Sequence, residues 1–146
     1  GGEGAAEEHA SGDFEACAFC VLARLLALQG GDERAGGMQG ACPPAFFDAI
    51  RSELGVTLEL FASPLNTRFP RFCSAARDVD AAFGSCGNFF EMSVSQGSFF
   101  VNPPFEPSLV CEMGRRLHTL LGIADEAGRR LTFVVCIPCW PDKACW

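Results

Sequence analysis

The residues best suited to chemistry in this sequence are Asn102, Pro103, Pro104 and Phe105, which directly follow the short apolar run SFFV. The Asn102 side-chain carbonyl and the Pro103 backbone carbonyl are two acceptors on a rigid corner. Each can take one N–H of an exocyclic amine, whose lone pair is otherwise delocalised into its ring. Such an arrangement works by positioning and charge stabilisation and needs no strong base. Phe105 adds a flat apolar face on which a base can stack, worth about 1–3 kcal/mol. Two further runs end at proline, in Ser63-Pro64-Leu65-Asn66 and Ile137-Pro138-Cys139-Trp140. Proline stops a hydrogen-bond ladder and fixes the backbone, so three stiff strand exits on one edge could frame a pocket.

The elements that must carry these exits are readable from spacing. Asp13 is placed to cap a helix bearing Phe14, Cys17, Val21, Leu22, Leu25, Leu26 and Leu28 at helical intervals, with Gly30-Gly31 after it. Residues 30–44 read as a Gly- and Pro-rich loop. Pro43-Pro44 opens a second helix that stops at Gly55. VTLELFA alternates like a strand, and a short helix is expected around Asn66–Ala76. SFFVN reads as a buried strand. A helix spans about Ser108 to Leu121, with Gly122 as its stop, and LTFVVCIP reads as a central parallel strand. Alternating helices and strands predict an α/β sheet with right-handed crossovers.

Composition limits the alternatives. The 146 residues carry 18 acidic and 11 basic side chains, a formal charge of −7, so a bulk polyanion binder is disfavoured and nucleic acid would be gripped locally. Hydrophobic residues make up 49%, enough for one compact domain, yet no apolar run reaches the roughly 20 residues of a membrane span. Nine cysteines, mostly in apolar surroundings, suggest buried thiols in a reducing compartment rather than a disulfide framework. Cys17-x-x-Cys20 and Cys136-x-x-Cys139 could supply four thiolates to zinc, but they fall on a helix and a strand end, so no metal is expected. His9 and His118 have no nucleophile at motif spacing. Residues 1–12 read as a disordered acidic tail and 13–146 as one domain.

Asn-Pro-Pro-Phe after a strand matches the signature of methyltransferases acting on exocyclic or amide nitrogens. The runs GVTLELFASPLNTRFPRFCSA, FGS, GSFFVNPPFEPSLV and LTFVVCIPCW, with GGMQGACPPAFFDAIRSELG upstream, resemble the methyltransferase domain of the phosphorylated CTD-interacting factor family over about residues 14–140. That family comprises cap-specific mRNA 2'-O-methyladenosine-N6 methyltransferases. A looser likeness exists to phage-type DNA adenine methyltransferases.

The resemblance implies a Rossmann-like methyltransferase sheet with flanking helices, here a truncated fragment without a WW module, and S-adenosylmethionine as methyl donor. It assigns the donor to Glu59, Phe61, Ala62, Ser63, Pro64 and Asn66, with Met38, Gln39 and Gly40 near its methionine end. It assigns catalysis to Asn102, Pro103, Pro104 and Phe105. Phe105, Glu106, Arg68, Arg71 and Trp140 fall on the substrate side, where Arg68, Arg71 and Arg77 could steer RNA. Asp78, Asp80 and Glu91 are candidates for the donor ribose. FASPLN departs from the usual glycine-rich donor loop, and Cys139 stands where the family tends to have Glu. The implied substrate is the capped mRNA 5' end, the implied location the nucleus, and the phosphorylated RNA polymerase II C-terminal domain a partner through absent parts. The alternatives are a DNA adenine-N6 methyltransferase and a non-catalytic domain binding RNA or a transcription partner.

Overall fold

The computed structural model describes residues 3–28, 41–143 and 145, with side chains from residue 13 onward. Its elements run α1 (Glu3–Leu28), α2 (Pro44–Leu54), β1 (Leu58–Glu59), α3 (Arg77–Asp80), β2 (Gly97–Val101), α4 (Pro107–Glu126) and β3 (Leu131–Val135), with 3-10 turns at Ala81–Phe83 and Phe89–Glu91. The protein is α/β, as its alternating pattern predicts.

β1, β2 and β3 form a parallel sheet in that order. Leu58 pairs with Phe99, and Phe99 in turn with Phe133. Beyond β1, single parallel bridges join Glu59 to Phe72 and Phe72 to Ser85. Cys73 N–H donates to Glu59 O at 2.7 Å and Cys86 N–H to Phe72 O at 2.7 Å, so both segments continue the same ladder. Read across the sheet, the extended segments lie in chain order third, second, first, fourth, fifth. The chain thus builds outward from β1 in one direction, then returns and builds in the other.

The two-residue period of β2 divides the core between two helices. Leu58, Leu60, Phe99 and Val101 pack with Val110, Met113, Leu117 and Leu120 of α4. Phe100, which faces the opposite way, packs with Phe47 and Ile50 of α2, Val56 and Phe69. The Phe47 and Phe100 rings meet edge to face at 5.3 Å, a geometry worth about 0.5–1.5 kcal/mol beyond burial. Pro44 starts α2, where a missing N–H costs nothing, and Gly55 ends it at φ 66°.

Several expectations are corrected. The helix expected around residues 66–76 is instead a turn at Pro64–Asn66, a bend at residues 69–71 and a bridge at Phe72. Two backbone ladders claim this stretch, which a local helix would forgo. α1 begins at Glu3 rather than at Asp13. Of its apolar positions only Val21 is buried, while Phe14, Leu22, Leu26 and Leu28 are exposed, because among described elements the helix meets little besides α3. The run around Leu131–Val135 is parallel but lies at the edge of the sheet, with Val135 42% exposed. α4 continues through Gly122 to Glu126, and the positive φ of 63° that follows it belongs to Gly128. No described helix is long and apolar enough to cross a membrane.

Candidate functional site

All five extended segments point the same way, so their exits gather on one edge, and there the molecule opens a cavity of about 1010 Å³. That is the size of a small-molecule site. Its wall combines the exit of β1 (Leu60 to Ser63, with Asn66), the exit at Cys73–Ala75, the turn Asn88–Phe90, the exit of β2 (Asn102 to Phe105) and Cys136. The cavity straddles the point where strand order reverses, the place where open parallel sheets leave a crevice.

Each wall segment is held by an identifiable bond. Leu60 N–H donates to Phe100 O at 2.8 Å, which brings the exits of β1 and β2 side by side. Ala62 N–H donates to Cys73 O at 2.9 Å. Asn66 Oδ1 accepts the Ser63 N–H at 2.8 Å, and the Asn66 and Thr67 N–H groups return to Ser63 O, so Ser63-Pro64-Leu65-Asn66 is a closed turn. Pro64 is well suited to the second position of that turn, its φ being fixed in advance. Asn88 Oδ1 caps the Phe89–Glu91 turn by accepting Phe90 N–H at 3.0 Å. The Phe61 ring then packs edge-on against Phe89 and Phe90 at 5.4 and 5.8 Å.

The structure brings Asn102, Pro103, Pro104, Phe105, Phe61, Ala62, Ser63 and Asn66 onto one wall. Pro103 is fully buried, anchoring the corner, whereas Phe105 is 54% exposed at the cavity rim. Trp140 is outside the wall but meets Phe105 edge-on, with centroids 6.2 Å apart at 85°. Met38, Gln39 and Gly40 lie outside the described residues.

Other expected residues are occupied elsewhere. Glu59 is buried on the sheet, where its Oε1 accepts Thr67 Oγ1 at 3.0 Å and the N–H groups of Arg68 and Phe69. Its carboxylate thereby organises the loop after the turn, and Glu59 and Pro64 are not among the wall residues. Glu106 caps α4, accepting Leu109 N–H at 2.8 Å and the Ser108 hydroxyl. The Ser108 bond, with the backbone bonds behind it, holds this carboxyl below the ordinary glutamate range. Arg68 and Arg71 are exposed and off the wall. Asp80 is 1% exposed and paired with Arg24 at 2.6 Å, which removes it from any ribose, and Asp78 and Glu91 are exposed away from the cavity.

Sequence reasoning missed Ser74, Ala75, Asn88, Phe89 and Phe90, all on the wall. For Ser74 and Ala75 the signal was the run of Phe72, Cys73 and Ser74 between turn residues, too short to show a period. Among the described residues, no group of three or more His, Cys, Asp or Glu could hold a metal ion.

A parallel α/β protein with an apolar cleft at its strand exits and an Asn-Pro-Pro-Phe corner on the rim is the class that fold and site define. The family model described as "Phosphorylated CTD interacting factor 1 WW domain" matches residues 3–146, and the chain belongs to that family. It is 39% identical over 125 residues to a human protein named mRNA (2'-O-methyladenosine-N(6)-)-methyltransferase, and 37% identical over 125 residues to a mouse protein of the same name. These alignments cover 85% of this chain but 17% of either relative, so the chain spans a small part of their length. The matching model is described as a WW domain, which departs from the expectation of a fragment without a WW module. The elements described within that span are helices around a parallel sheet.

Proposed function

We propose that this chain is part of an S-adenosylmethionine-dependent adenine-N6 methyltransferase acting on the cap-adjacent adenosine of mRNA. The observation that carries the reading is the Asn102-Pro103-Pro104-Phe105 corner at the exit of β2, on the rim of a cavity of about 1010 Å³. The third-second-first-fourth-fifth order of the extended segments supports a Rossmann-like sheet, whose ligands sit at the reversal point. The names of the human and mouse relatives supply the reaction class.

The wall fits the donor by its chemistry. Phe61, Phe89 and Phe90 offer apolar and aromatic surface, while Ser63, Ser74, Asn66 and Asn88 offer neutral polar groups. Phe61, Ala62, Ser63 and Asn66 would hold it, with Met38, Gln39 and Gly40 assigned by resemblance. Bound there, S-adenosylmethionine supplies a sulfonium-activated methyl group. The Asn102 side-chain oxygen and the Pro103 carbonyl accept the two amine hydrogens and stabilise the positive charge that grows on nitrogen as it reacts. Pro103 and Pro104 keep that corner from moving. Phe105, braced by Trp140, stacks on the base. The protein is placed in the nucleus by this reading.

A second reading draws on the family description, which names interaction with a phosphorylated C-terminal domain: a binding module without catalysis. Labelled donor incubated with capped RNA beginning with adenosine, or with DNA, separates the readings. Label on the capped RNA is expected. Label on DNA alone moves the substrate to DNA, and label on neither, with donor binding intact, favours the binding module.

A further inference from the structure

Two thiols that the proposed chemistry leaves unused meet on the cavity wall. Cys42 donates its S–H to Cys136 Sγ across 3.8 Å, although the residues are 94 positions apart. Cys42 lies in the segment leading into α2, outside any helix or strand. Cys136 directly follows β3, where its N–H donates to Val101 O at 2.9 Å, one residue before Asn102. Both line the cavity and both are partly buried, so a small reagent can reach them through the opening. Phe46 and Val134 pack in the same cluster and hold the two segments together. Cys73, by contrast, is buried against Met92 Sδ, Cys20 is exposed on α1, and Cys139 is exposed in the segment after β3.

We propose that Cys42 and Cys136 are a dithiol modification site, which a low-molecular-weight disulfide oxidises to a cross-link on the cleft wall. The sulfurs must close from 3.8 Å to the bonded distance of about 2.05 Å, and rotation of the Cys42 side chain on its non-helical segment supplies that movement. Cys136, having released its proton to solvent, attacks one sulfur of the reagent. The reagent S–S bond breaks, leaving a mixed disulfide on Cys136 and a free reagent thiolate that takes the Cys42 proton. Cys42 thiolate then attacks Cys136 Sγ and expels the second reagent thiolate, which is protonated from solvent. Two protein thiols give up two electrons and two protons, and one reagent disulfide becomes two thiols. The Cys42 S–H points at Cys136 Sγ, which assigns Cys42 as the hydrogen-bond donor and Cys136 as the attacking sulfur, and burial, then the contact with Cys136, raises Cys42 to about 11.

The test incubates the folded chain with oxidised glutathione at neutral pH, blocks remaining thiols by alkylation, and maps the peptides by mass spectrometry. A peptide pair joining Cys42 to Cys136, two hydrogens lighter than the reduced pair, is expected at roughly 10-fold or more above any other cysteine pairing. In Cys42→Ser the remaining Cys136 should end as a mixed disulfide with glutathione. In guanidinium the preference for this pair should disappear. Separate glutathione adducts on both residues of the wild-type chain would overturn the proposal. So would a pair left reduced while Cys20 and Cys139 react, or a preference that survives in guanidinium.

Discussion

The Pro70 carbonyl oxygen lies 2.2 Å from the point a Cβ would occupy on Gly84. Gly84 also sits at φ +100°, where an L side chain is strained regardless of space. It accepts the Phe72 N–H, so the close approach is what lets the third extended segment join the second. Gly84→Ala should therefore cost about 2–4 kcal/mol in a urea unfolding curve, far more than Gly122→Ala, where φ is ordinary and nothing crowds the added methyl.

Asn102→Ala removes an acceptor and leaves the cavity wall otherwise intact. Turnover with labelled donor and capped RNA should fall by roughly 100-fold or more. Affinity for S-adenosylhomocysteine, measured by calorimetry, should stay within about 2-fold. Equal loss of both would remove Asn102 from the role assigned to it.

Glu59 organises the residues that follow the wall turn, through Thr67, Arg68 and Phe69. Glu59→Ala removes the acceptor of the Arg68 N–H, while the Thr67 hydroxyl keeps Phe69 O and the Phe69 N–H keeps Thr67 Oγ1, and should destabilise the chain by about 1–2 kcal/mol in denaturant titration. Glu59→Gln keeps a carbonyl oxygen at the same reach and should lose less than half of that.

Cys73 ionises reluctantly: burial, then the neighbouring Cys86, lifts it from 9.0 to about 12. Its folded value lies above its unfolded one, so its contribution is complete below about pH 9 and is lost as pH rises toward 12. Stability measured across that window should decline, and Cys73→Ala should flatten the slope while lowering the plateau at neutral pH.

How far the sequence could be read depended on the range of each interaction. Pro44 and Gly55 bound α2 through backbone geometry alone, and both are visible in sequence. The place of the Asn102-Pro103-Pro104-Phe105 corner at a strand exit was legible for the same reason, the stop that proline imposes being local. Phe72 and Ser85 were not, since a segment attached by a single bridge has no period to display. Asp80 looked like a ligand group because its partner Arg24, 56 residues earlier, declares nothing in sequence. Glu59 misled similarly: an acidic residue at a strand end suits a ligand and an adjacent loop equally, and only the Thr67–Phe69 donors decide.

β3 pairs with β2 on one side, and no described residue pairs with it on the other. An apolar strand with a bare row of amides and carbonyls invites a stranger to extend it. Purified by itself at high concentration, this polypeptide should self-associate unless something shields that border. Lysine placed at Thr132, whose side chain already meets water, is the natural remedy for anyone preparing it.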